Sequence, residues 1–259
     1  MDALLEDLVT TPVLDLEGRV ALVTGASGGI GTALARRLAG SGVDLALTYT
    51  SHAEDAERLG EELSATGRRV TVMHADFTEG AAPRAIVRRT EERLGPVDLL
   101  VAAAGMGIQK SWDEVDFDLW EQTMAVNLRS PFFLAQHVLP GMVDRGYGRI
   151  LFFSSVAAFT GGVVGPHYAA SKSGLHGMTH FLASRVADAG VTVNAIAPAL
   201  IGGTRMLPAN PHDPGALPLP IPVGRLGTTD EVADLAMAML RNGYLTSKVI
   251  ALDGGLYPY

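Results

Sequence analysis

The sequence predicts an α/β fold, with a mostly parallel seven-stranded sheet that is doubly wound and covered by helices on both faces. Short apolar segments of strand length alternate with segments of helical periodicity along most of the 259 residues. The strand segments are apolar on both of their faces, as in a sheet buried between two layers of helices. Right-handed crossovers between such strands place the ligand site at the carboxyl ends of the strands.

The expected strands and helices alternate in order. The first strand is expected at 19–24 (RVALVT), which is rich in valine and is followed at once by glycines. The other six strands are expected at 43–49, 70–74, 97–102, 148–154, 191–196 and 248–252. Helices are expected at 29–40, 53–66, 83–94, 119–145, 167–188 and 230–240. We therefore predict a single domain at 18–259, preceded by a short N-terminal extension at 1–17.

The composition limits the function. A net charge of −8 argues against a nucleic-acid partner, because neutralising phosphates requires a basic face. The absence of cysteine excludes disulfides, thiolate metal sites and a cysteine nucleophile. The first residues lack the basic start and apolar run of a secretory signal, and no stretch reaches the roughly 18 apolar residues that span a bilayer. We expect a cytoplasmic protein with no membrane partner.

One segment departs from the regular pattern, because residues 207–222 include six prolines. This segment lies between a predicted strand and a predicted helix, so we interpret it as a stiffened surface loop and not as a domain boundary. The wider stretch at about 199–222 is expected to form a lid over the substrate.

A glycine-rich turn, TGASGGIG at 24–31, follows the first strand and opens the first helix. Gly25 permits a tight turn, and Gly31 lets the helix pack closely against the sheet. Backbone N–H groups in the middle of the turn can approach a pyrophosphate, which the positive end of the helix dipole also attracts. We predict a dinucleotide site at this turn, formed by Gly25, Ser27, Gly28, Gly29, Ile30 and Gly31.

A second motif lies at the start of the helix expected at 167–188. Tyr168 and Lys172 form a YxxxK pair, and residues four apart lie on the same face of a helix. A nearby ammonium group favours the phenolate, which lowers the pKa of a tyrosine from its usual value of about 10. Tyr168 is therefore the candidate acid/base.

In their order and spacing, these motifs resemble those of the short-chain dehydrogenase/reductase family. The turn has that family's TGxxxGxG spacing, and the stretches VNAIAPA, PVGRLG and LDGG follow the YxxxK pair, so the resemblance runs from about residue 17 to 256. It implies a Rossmann-type, NAD(P)-dependent oxidoreductase acting on CH–OH or C=O groups, closest to 3-oxoacyl-thioester reductases and small ketoreductases. It also implies a homotetramer or homodimer, joined through the helices at 119–145 and 167–188.

The resemblance adds two residues to the catalytic set. Ser155 lies 13 residues before Tyr168 and matches a serine that hydrogen-bonds the substrate oxygen; Ser154 is the competing match. Asn127 matches an asparagine that bends a helix and holds a water in a proton relay, although helix capping explains this residue alone equally well. The expected catalytic residues are Asn127, Ser155, Tyr168 and Lys172, and the last two would also contact the cofactor.

Further cofactor contacts are implied at the strand ends. Asp76 and Phe77, after the third strand, match the contact to the adenine end, although an ordinary turn aspartate is an equal alternative. The segment 102–105 (AAAG) matches the family's NNAG, and the segment after 197 matches the stretch that contacts the nicotinamide carboxamide. The implied positions are Ala103, Ala104, Gly105, Pro198, Ala199, Ile201 and Thr204.

The end of the second strand favours NADP(H), with NAD(H) as the alternative. An NAD enzyme usually carries an acidic residue there, which binds the ribose 2′-hydroxyl. Here Thr50, Ser51 and His52 occupy that region, and the first carboxylate is Glu54. These polar groups can accept a 2′-phosphate, whereas Gly28 stands where many NADP-dependent relatives carry a basic residue.

The sequence also departs from the family pattern. The segment AAAG lacks both asparagine side chains of NNAG, which puts packing beside the cofactor in doubt more than chemistry. Ala199 replaces the glycine of the family's PG pair, and Thr204 lies one residue later than usual. We expect these two changes to shift the nicotinamide loop.

Other interpretations lack required residues. His176 and His180 lie in HGMTH, which has no glutamate between them, so we predict no metal site. We do not expect a serine hydrolase, because the one stretch with the GxSxG spacing of such enzymes, GASGG at 25–29, belongs to the glycine-rich turn. Two alternatives remain open: a cofactor-binding regulator that keeps the fold without turnover, and an isomerase or dehydratase.

The loops expected to face the nicotinamide are mainly apolar. They contain no cluster of cations that would bind a carboxylate or phosphate next to the reacting carbon. We therefore expect a neutral ketone, secondary alcohol or 3-oxoacyl group as the small-molecule substrate. A large acidic carrier protein is less favoured, because the net charge of −8 opposes long-range attraction. The apolar residues are Met106, Ile108, Phe159, Val163, Met206, Leu207 and Leu217, and Arg205, His212 and Asp213 are the ionisable ones.

Overall fold

The computed structural model describes residues 15–207 and 220–257. Its seven strands form one sheet in the order β3-β2-β1-β4-β5-β6-β7, and every neighbouring pair is parallel. This confirms the predicted fold class. The strands are β1 (Val20–Thr24), β2 (Asp44–Tyr49), β3 (Val70–His74), β4 (Leu99–Ala102), β5 (Gly148–Phe153), β6 (Val191–Pro198) and β7 (Val249–Leu252).

Helices cover both faces of this sheet. The helices are α1 (Gly29–Gly40), α2 (Ala53–Ser64), α3 (Ala82–Leu94), α4 (Phe117–Met124), α5 (Ser130–Asp144), α6 (Ala157–Thr160), α7 (Pro166–Val186) and α8 (Thr229–Arg241). Two apolar clusters separate along the pleat of β4: Val101 packs with residues of α1, α2 and α8, whereas Leu100 packs with residues of α3, α5 and α7. Both side chains are fully buried, so the sheet lies in the middle of the core.

The strand order places the site. The chain runs outward from β1 to β2 and β3 on one side, then returns to add β4 and the later strands on the other. Connections therefore leave the carboxyl ends of β1 and β4 in opposite directions, and a crevice opens between them. The glycine-rich turn follows β1, and the AAAG segment begins at the end of β4, so both reach this crevice.

One predicted helix is wrong. The single helix expected at 119–145 is broken into α4, a π-helical turn at Ala125–Arg129, and α5. Asn127 lies in the π turn, where one extra residue bends the helix axis and turns the side chain inward. The sequence does not predict the short helix α6, and the other boundaries lie within two residues of their predicted positions.

Parts of two predicted regions lie outside the described residues. Of the N-terminal extension expected at 1–17, residues 15–17 are described, and Leu16 is buried in the apolar cluster that contains α1. Of the lid expected at about 199–222, only 199–207 and 220–222 are described, so Leu217, His212 and Asp213 cannot be placed. Among the described residues, no helix combines the length and the apolarity needed to cross a membrane.

Candidate active site

The glycine-rich turn closes tightly because three of its positions have no room for a side chain. Gly25 has a φ of +69°, and a Cβ there would lie 2.8 Å from the Cα of Ala104. A Cβ on Gly31 would collide with the carbonyl oxygen of Gly25, so this glycine lets α1 pack directly on the turn. A Cβ on Gly29 would lie 3.0 Å from the carbonyl oxygen of Gly203, which shows that the segment after β6 lies over the turn.

The start of α1 fits the pyrophosphate of a dinucleotide. Gly28 precedes the helix in an extended conformation, no side chain caps the first turn, and the first turn contains no acidic residue. The N–H groups of that turn and the positive end of the helix dipole are therefore not satisfied by a side chain of the first turn and could bind an anion. The same place would hold an anion between backbone donors, as the predicted dinucleotide site requires.

The AAAG segment is held by backbone contacts where the family pattern has asparagines. The hydroxyl of Thr24 accepts a hydrogen bond of 3.0 Å from the N–H of Ala104, which joins the ends of β1 and β4. Gly105 borders the catalytic groups: a Cβ there would lie 3.3 Å from Nζ of Lys172 and 3.5 Å from Oδ1 of Asn127. The missing asparagines thus leave the junction connected, and the retained glycine leaves space beside the lysine.

Three of the four predicted catalytic residues meet at the carboxyl ends of β5 and the start of α7. Tyr168 is 7% exposed and accepts or donates a hydrogen bond with the side chain of Ser155. Ser154 is turned away, because its hydroxyl donates to the carbonyl oxygen of Lys172 at 3.0 Å and lies 2.8 Å from Nε2 of His176. The geometry therefore favours Ser155 over Ser154 as the partner of the tyrosine.

The electrostatics of this pair differ from the sequence expectation. Burial raises the pKa of Tyr168, and the hydrogen bond with Ser155 opposes this increase. Burial lowers the pKa of Lys172 to about 8. The ammonium does not hold the phenol pKa down as expected, because Nζ donates to the carbonyl oxygen of Phe153 at 2.7 Å and lies 5.7 Å from the centre of the tyrosine ring.

Asn127 links the π turn to the segment after β4. Its Oδ1 accepts from the N–H of Met106 at 2.8 Å, and its Nδ2 donates to the carbonyl oxygen of Met106 at 2.9 Å. The same Nδ2 lies 3.1 Å from the hydroxyl of Ser171, one residue before Lys172. Asn127 is fully buried inside the helical segment. These contacts fit a positioning role and not the alternative of a helix cap.

The residues after β2 and β3 are engaged locally. Thr50 donates to the carbonyl oxygen of Ala75 at 2.6 Å, and Ser51 lies 2.8 Å from Nδ1 of His52. The carboxylate of Asp76 accepts from the N–H and the hydroxyl of Thr78, and the side-chain bond lowers its pKa most. Phe77 is 2% exposed and belongs to the core, so only its backbone can reach a cofactor.

The segment after β6 is folded back on itself. Pro198 ends β6, and the N–H of Ala199 donates to the carbonyl oxygen of Leu252, the last residue of β7, at 3.0 Å. Ile201 is buried and pairs with Gly227, so its side chain packs in the core. The hydroxyl of Thr204 donates to the carbonyl oxygen of Ile201 at 3.0 Å, which sets the direction of the chain over the turn.

The structure adds a cavity that the sequence did not suggest, and it places Arg205, which was expected beside the nicotinamide, at this cavity. A cavity of about 560 Å³ lies between α1, α2 and the segment after β6, beside Ser27. Asp55, Arg36 and Arg58 line it, and so does Arg205, whose guanidinium lies 3.2 Å from the carboxylate of Asp55. No sequence motif joins positions that are 150 residues apart.

The two histidines of HGMTH serve separate contacts. His176 lies beside Ser154, whereas Nδ1 of His180 lies 3.1 Å from the hydroxyl of Ser247. Within 15–207 and 220–257, no group of three or more histidine, aspartate or glutamate side chains is arranged to hold a metal ion.

Comparison with known proteins gives consistent results. The chain is 37% identical to acetoacetyl-CoA reductase of Allochromatium vinosum over 243 residues, which covers 92% of this chain and 98% of the relative. It is 36% identical to 3-oxoacyl-acyl-carrier-protein reductase of Pseudomonas aeruginosa, covering 94% and 99%. The crystal structure of a blue fluorescent protein from a metagenomic library in complex with NADPH has a TM-score of 0.87 at 39% identity, covering 95% and 100%.

The family assignment follows from a match that covers most of the chain. The family model for short chain dehydrogenase matches residues 19–214, which include the glycine-rich turn and the YxxxK pair. The chain therefore belongs to the short chain dehydrogenase family, which confirms the resemblance and the expected oxidoreductase class.

Proposed function

We propose that this protein is an NADP(H)-dependent oxidoreductase that interconverts a neutral ketone and its secondary alcohol, with Tyr168 as the acid/base. The observation that carries the proposal is the contact of Tyr168 with Ser155, one helical turn from the buried Lys172. All three lie at the carboxyl ends of the strands, where the open start of α1 would hold a dinucleotide. A proton donor next to a cofactor site is the arrangement that carbonyl reduction requires.

Each residue has a defined task in this proposal. When bound, the nicotinamide would supply the hydride that adds to the carbonyl carbon. The hydroxyl of Ser155 donates a hydrogen bond to the carbonyl oxygen, and the phenol of Tyr168 gives its proton to that oxygen, so that the alcohol forms. Lys172, whose Nζ lies 5.7 Å from the centre of the tyrosine ring, would hold the ribose hydroxyls of the bound cofactor.

Lys172 is held in place by the backbone around it. Its Nζ donates to the carbonyl oxygen of Phe153, and Asn127 fixes the segment that contains Gly105 and Met106 on the other side. We assign Asn127 as a positioning residue, because its described contacts are to Met106 and Ser171. The ammonium of Lys172 and the amide of Asn127 border the same space beside Gly105. This space would allow a proton to pass between the lysine and solvent.

Two observations support NADP(H) over NAD(H). The metagenomic blue fluorescent protein, which is 39% identical, was solved in complex with NADPH. In this chain the cavity beside Ser27 is lined by four arginines and three carboxylates, and the one excess positive charge would attract an additional phosphate. Side-by-side dissociation constants for NADPH and NADH test the preference, and tighter binding of NADH would overturn it.

The surroundings of the tyrosine support a neutral substrate. The exposed apolar residues around the site are Ile108, Phe159, Val163 and Met206. Lys110 lies 3.9 Å from Glu114, and Arg205 contacts Asp55, so neither cation is directed at the reacting carbon. An apolar ketone or a 3-oxoacyl group suits this lining, and the names of the two reductases that resemble this chain point to the latter class.

The test measures the turnover of a panel of substrates from the decrease in NADPH absorbance. It compares a neutral aryl or cyclic ketone, a small 3-oxoacyl thioester and the same acyl group on its carrier protein, at low and high salt. We expect turnover with the first two. A carrier-bound substrate that is much the best, and that loses its advantage in salt, would contradict the neutral small-molecule assignment. Binding of NADPH without turnover of any ketone or alcohol would favour the regulator or an isomerase instead.

We further propose that the protein forms a homodimer or homotetramer through α5 and α7. An apolar groove of about 450 Å³ lies between these helices, and Phe132 and Phe181 are exposed along it. Large exposed aromatic side chains on facing helices are typical of an interface. Light scattering of the wild type and of Phe181→Glu tests this proposal. If the wild type is multimeric and the variant has the same molar mass, the groove is not the contact.

A further inference from the structure

The guanidinium of Arg205 lies at the junction of three segments that are distant in the sequence. Its Nη2 is 3.2 Å from the carboxylate of Asp55 in the first turn of α2, and its Nη1 is 3.5 Å from the hydroxyl of Ser27 in the glycine-rich turn. Ser27 in turn donates to the carbonyl oxygen of Ser51, after β2, at 3.4 Å. Arg205 itself belongs to the segment that follows β6.

This junction is the place where a dinucleotide fold reads the ribose 2′ position. An acidic residue about 20 residues after the glycines binds a 2′-hydroxyl, whereas a nearby arginine accommodates a 2′-phosphate. The chain has both kinds of residue there, since Asp55 follows Gly31 by 24 positions and Arg205 contacts it. Gly28, within the turn, provides no cation.

The charge around Asp55 favours a phosphate. The two carboxylate oxygens already contact two guanidinium groups: Oδ1 is 2.7 Å from Arg58, and Oδ2 is 3.2 Å from Arg205. One carboxylate between two arginines leaves one positive charge in excess at this corner. The contacts of Arg205 are the longer ones and its side chain is 44% exposed, so it can exchange Asp55 for a stronger anionic partner.

We infer that Arg205 is the residue that selects NADP(H), and that it binds the 2′-phosphate from the segment after β6. This inference rests on the proposed dinucleotide-dependent function. Gly28 cannot supply a cation to the 2′-phosphate, and Arg205 would supply it from the segment after β6. Because Arg205 directly follows Thr204, binding of the 2′-phosphate would also hold this segment over the glycine-rich turn.

The test measures binding and not turnover. Dissociation constants of NADPH, NADH, adenosine 2′,5′-bisphosphate and ADP are determined by calorimetry for the wild type and for Arg205→Ala. We expect Arg205→Ala to weaken NADPH and the 2′,5′-bisphosphate about tenfold, because a charge-assisted contact to phosphate is lost. NADH and ADP should change less than twofold. Arg88→Ala removes an exposed cation from α3, on the opposite face of the sheet, and should change none of the four.

A second variant distinguishes binding of a 2′-phosphate from binding of a 2′-hydroxyl at this junction. Asp55→Asn removes the charge that competes for Arg205, so NADPH should bind severalfold more tightly while NADH is unchanged. If Asp55→Asn instead weakens NADH, the aspartate binds a 2′-hydroxyl and the inference is wrong. Equal weakening of NADPH and NADH by Arg205→Ala would also overturn it, because the arginine would then act on the shared part of the cofactor. Wild-type turnover with NADPH, measured alongside, shows whether the proposed function stands when the inference fails.

Discussion

The two sides of the active site are built in different ways. On the cofactor side, β1 and α1 contribute backbone: a turn closed by Gly25 and Gly31, and a helix start that no side chain caps. On the substrate side, β5 and α7 contribute buried side chains, of which Tyr168 and Lys172 are 7% and 5% exposed. The cofactor side therefore depends on where side chains are absent, and the substrate side depends on which side chains are present.

This difference explains which departures from the family pattern can be tolerated. The loss of two asparagines in AAAG leaves a hydrogen bond from the N–H of Ala104 to the hydroxyl of Thr24, so the junction of β1 and β4 survives. A change on the substrate side has no such replacement, because a backbone group cannot supply a phenol. We expect substitutions on the two sides to separate binding from turnover.

The largest effect is expected for Tyr168→Phe. The phenylalanine keeps the buried ring but removes the proton donor, and acid/base assistance is worth roughly 10²–10⁴ in rate. Turnover should therefore decrease at least about a hundredfold, while the dissociation constant of NADPH changes little. Steady-state rates and NADPH fluorescence titration measure the two quantities. Tyr244→Phe, at a side chain that is 98% exposed, serves as the control. Retention of more than about a tenth of the activity would exclude Tyr168 as the acid/base.

Gly31→Ala should mainly weaken the binding of NADPH, whereas Tyr168→Phe should mainly reduce turnover. Its Cβ would collide with the carbonyl oxygen of Gly25, so the turn must open and the helix start must move. We expect NADPH to bind at least about tenfold more weakly, with stability reduced by about 1–3 kcal/mol through overpacking. Gly40→Ala lies at the other end of α1, where a Cβ meets nothing within 4 Å, and should be neutral or slightly stabilising. Calorimetric binding that is the same for both variants would show that the turn does not hold the cofactor.

The same division shows what could be predicted from the sequence. Backbone features leave local signals: the glycines predicted the turn, and the apolar periodicity placed α1 at 29–40 as observed. The YxxxK spacing also predicted that Tyr168 and Lys172 share a helical turn. The pKa shift of Tyr168 was predicted in the wrong direction, because spacing gives no information about burial or about the bond from Lys172 to Phe153.

Contacts across the chain could not be predicted. The resemblance implied the bend at Asn127, but the contact of its amide with the backbone of Met106, which lies 21 residues earlier, leaves no local signal in the sequence. Arg205 and Asp55 are 150 residues apart, and they meet only because the segment after β6 crosses the glycine-rich turn. In both cases the partner is determined by the strand order, which brings the carboxyl ends of distant strands together.

Helix α8 packs beside α1 but, unlike α1, has a start that side chains cap. The hydroxyl of Thr228 accepts from the N–H of Glu231 at 3.2 Å, and the carboxylate of Glu231 accepts from the N–H of Thr228 at 2.8 Å. This capping box satisfies donors that α1 leaves open. Thr228→Ala should therefore decrease the free energy of unfolding by about 1 kcal/mol without changing the affinity for NADPH. Urea unfolding and titration of the same variant measure both, and a large loss of affinity would mean that α8 belongs to the cofactor site.

The smallest effect is a pH dependence of the same cap. The pKa of Glu231 is lowered from 4.5 to about 2, chiefly by its hydrogen bond to Arg225 and then by the N–H of Thr228. A carboxyl whose pKa is lower in the folded state stabilises the protein above its unfolded pKa, and this contribution is lost as the pH falls towards the folded value. The free energy of unfolding should therefore decrease from about pH 4.5 downwards. The loss should be shallower in Glu231→Gln, which has no charge to lose but can still accept from Thr228. Because both partners are more than one-third exposed, we expect the difference to shrink in high salt. Parallel curves for wild type and Glu231→Gln below pH 4.5 would show that this carboxyl does not contribute to the acid sensitivity of the fold.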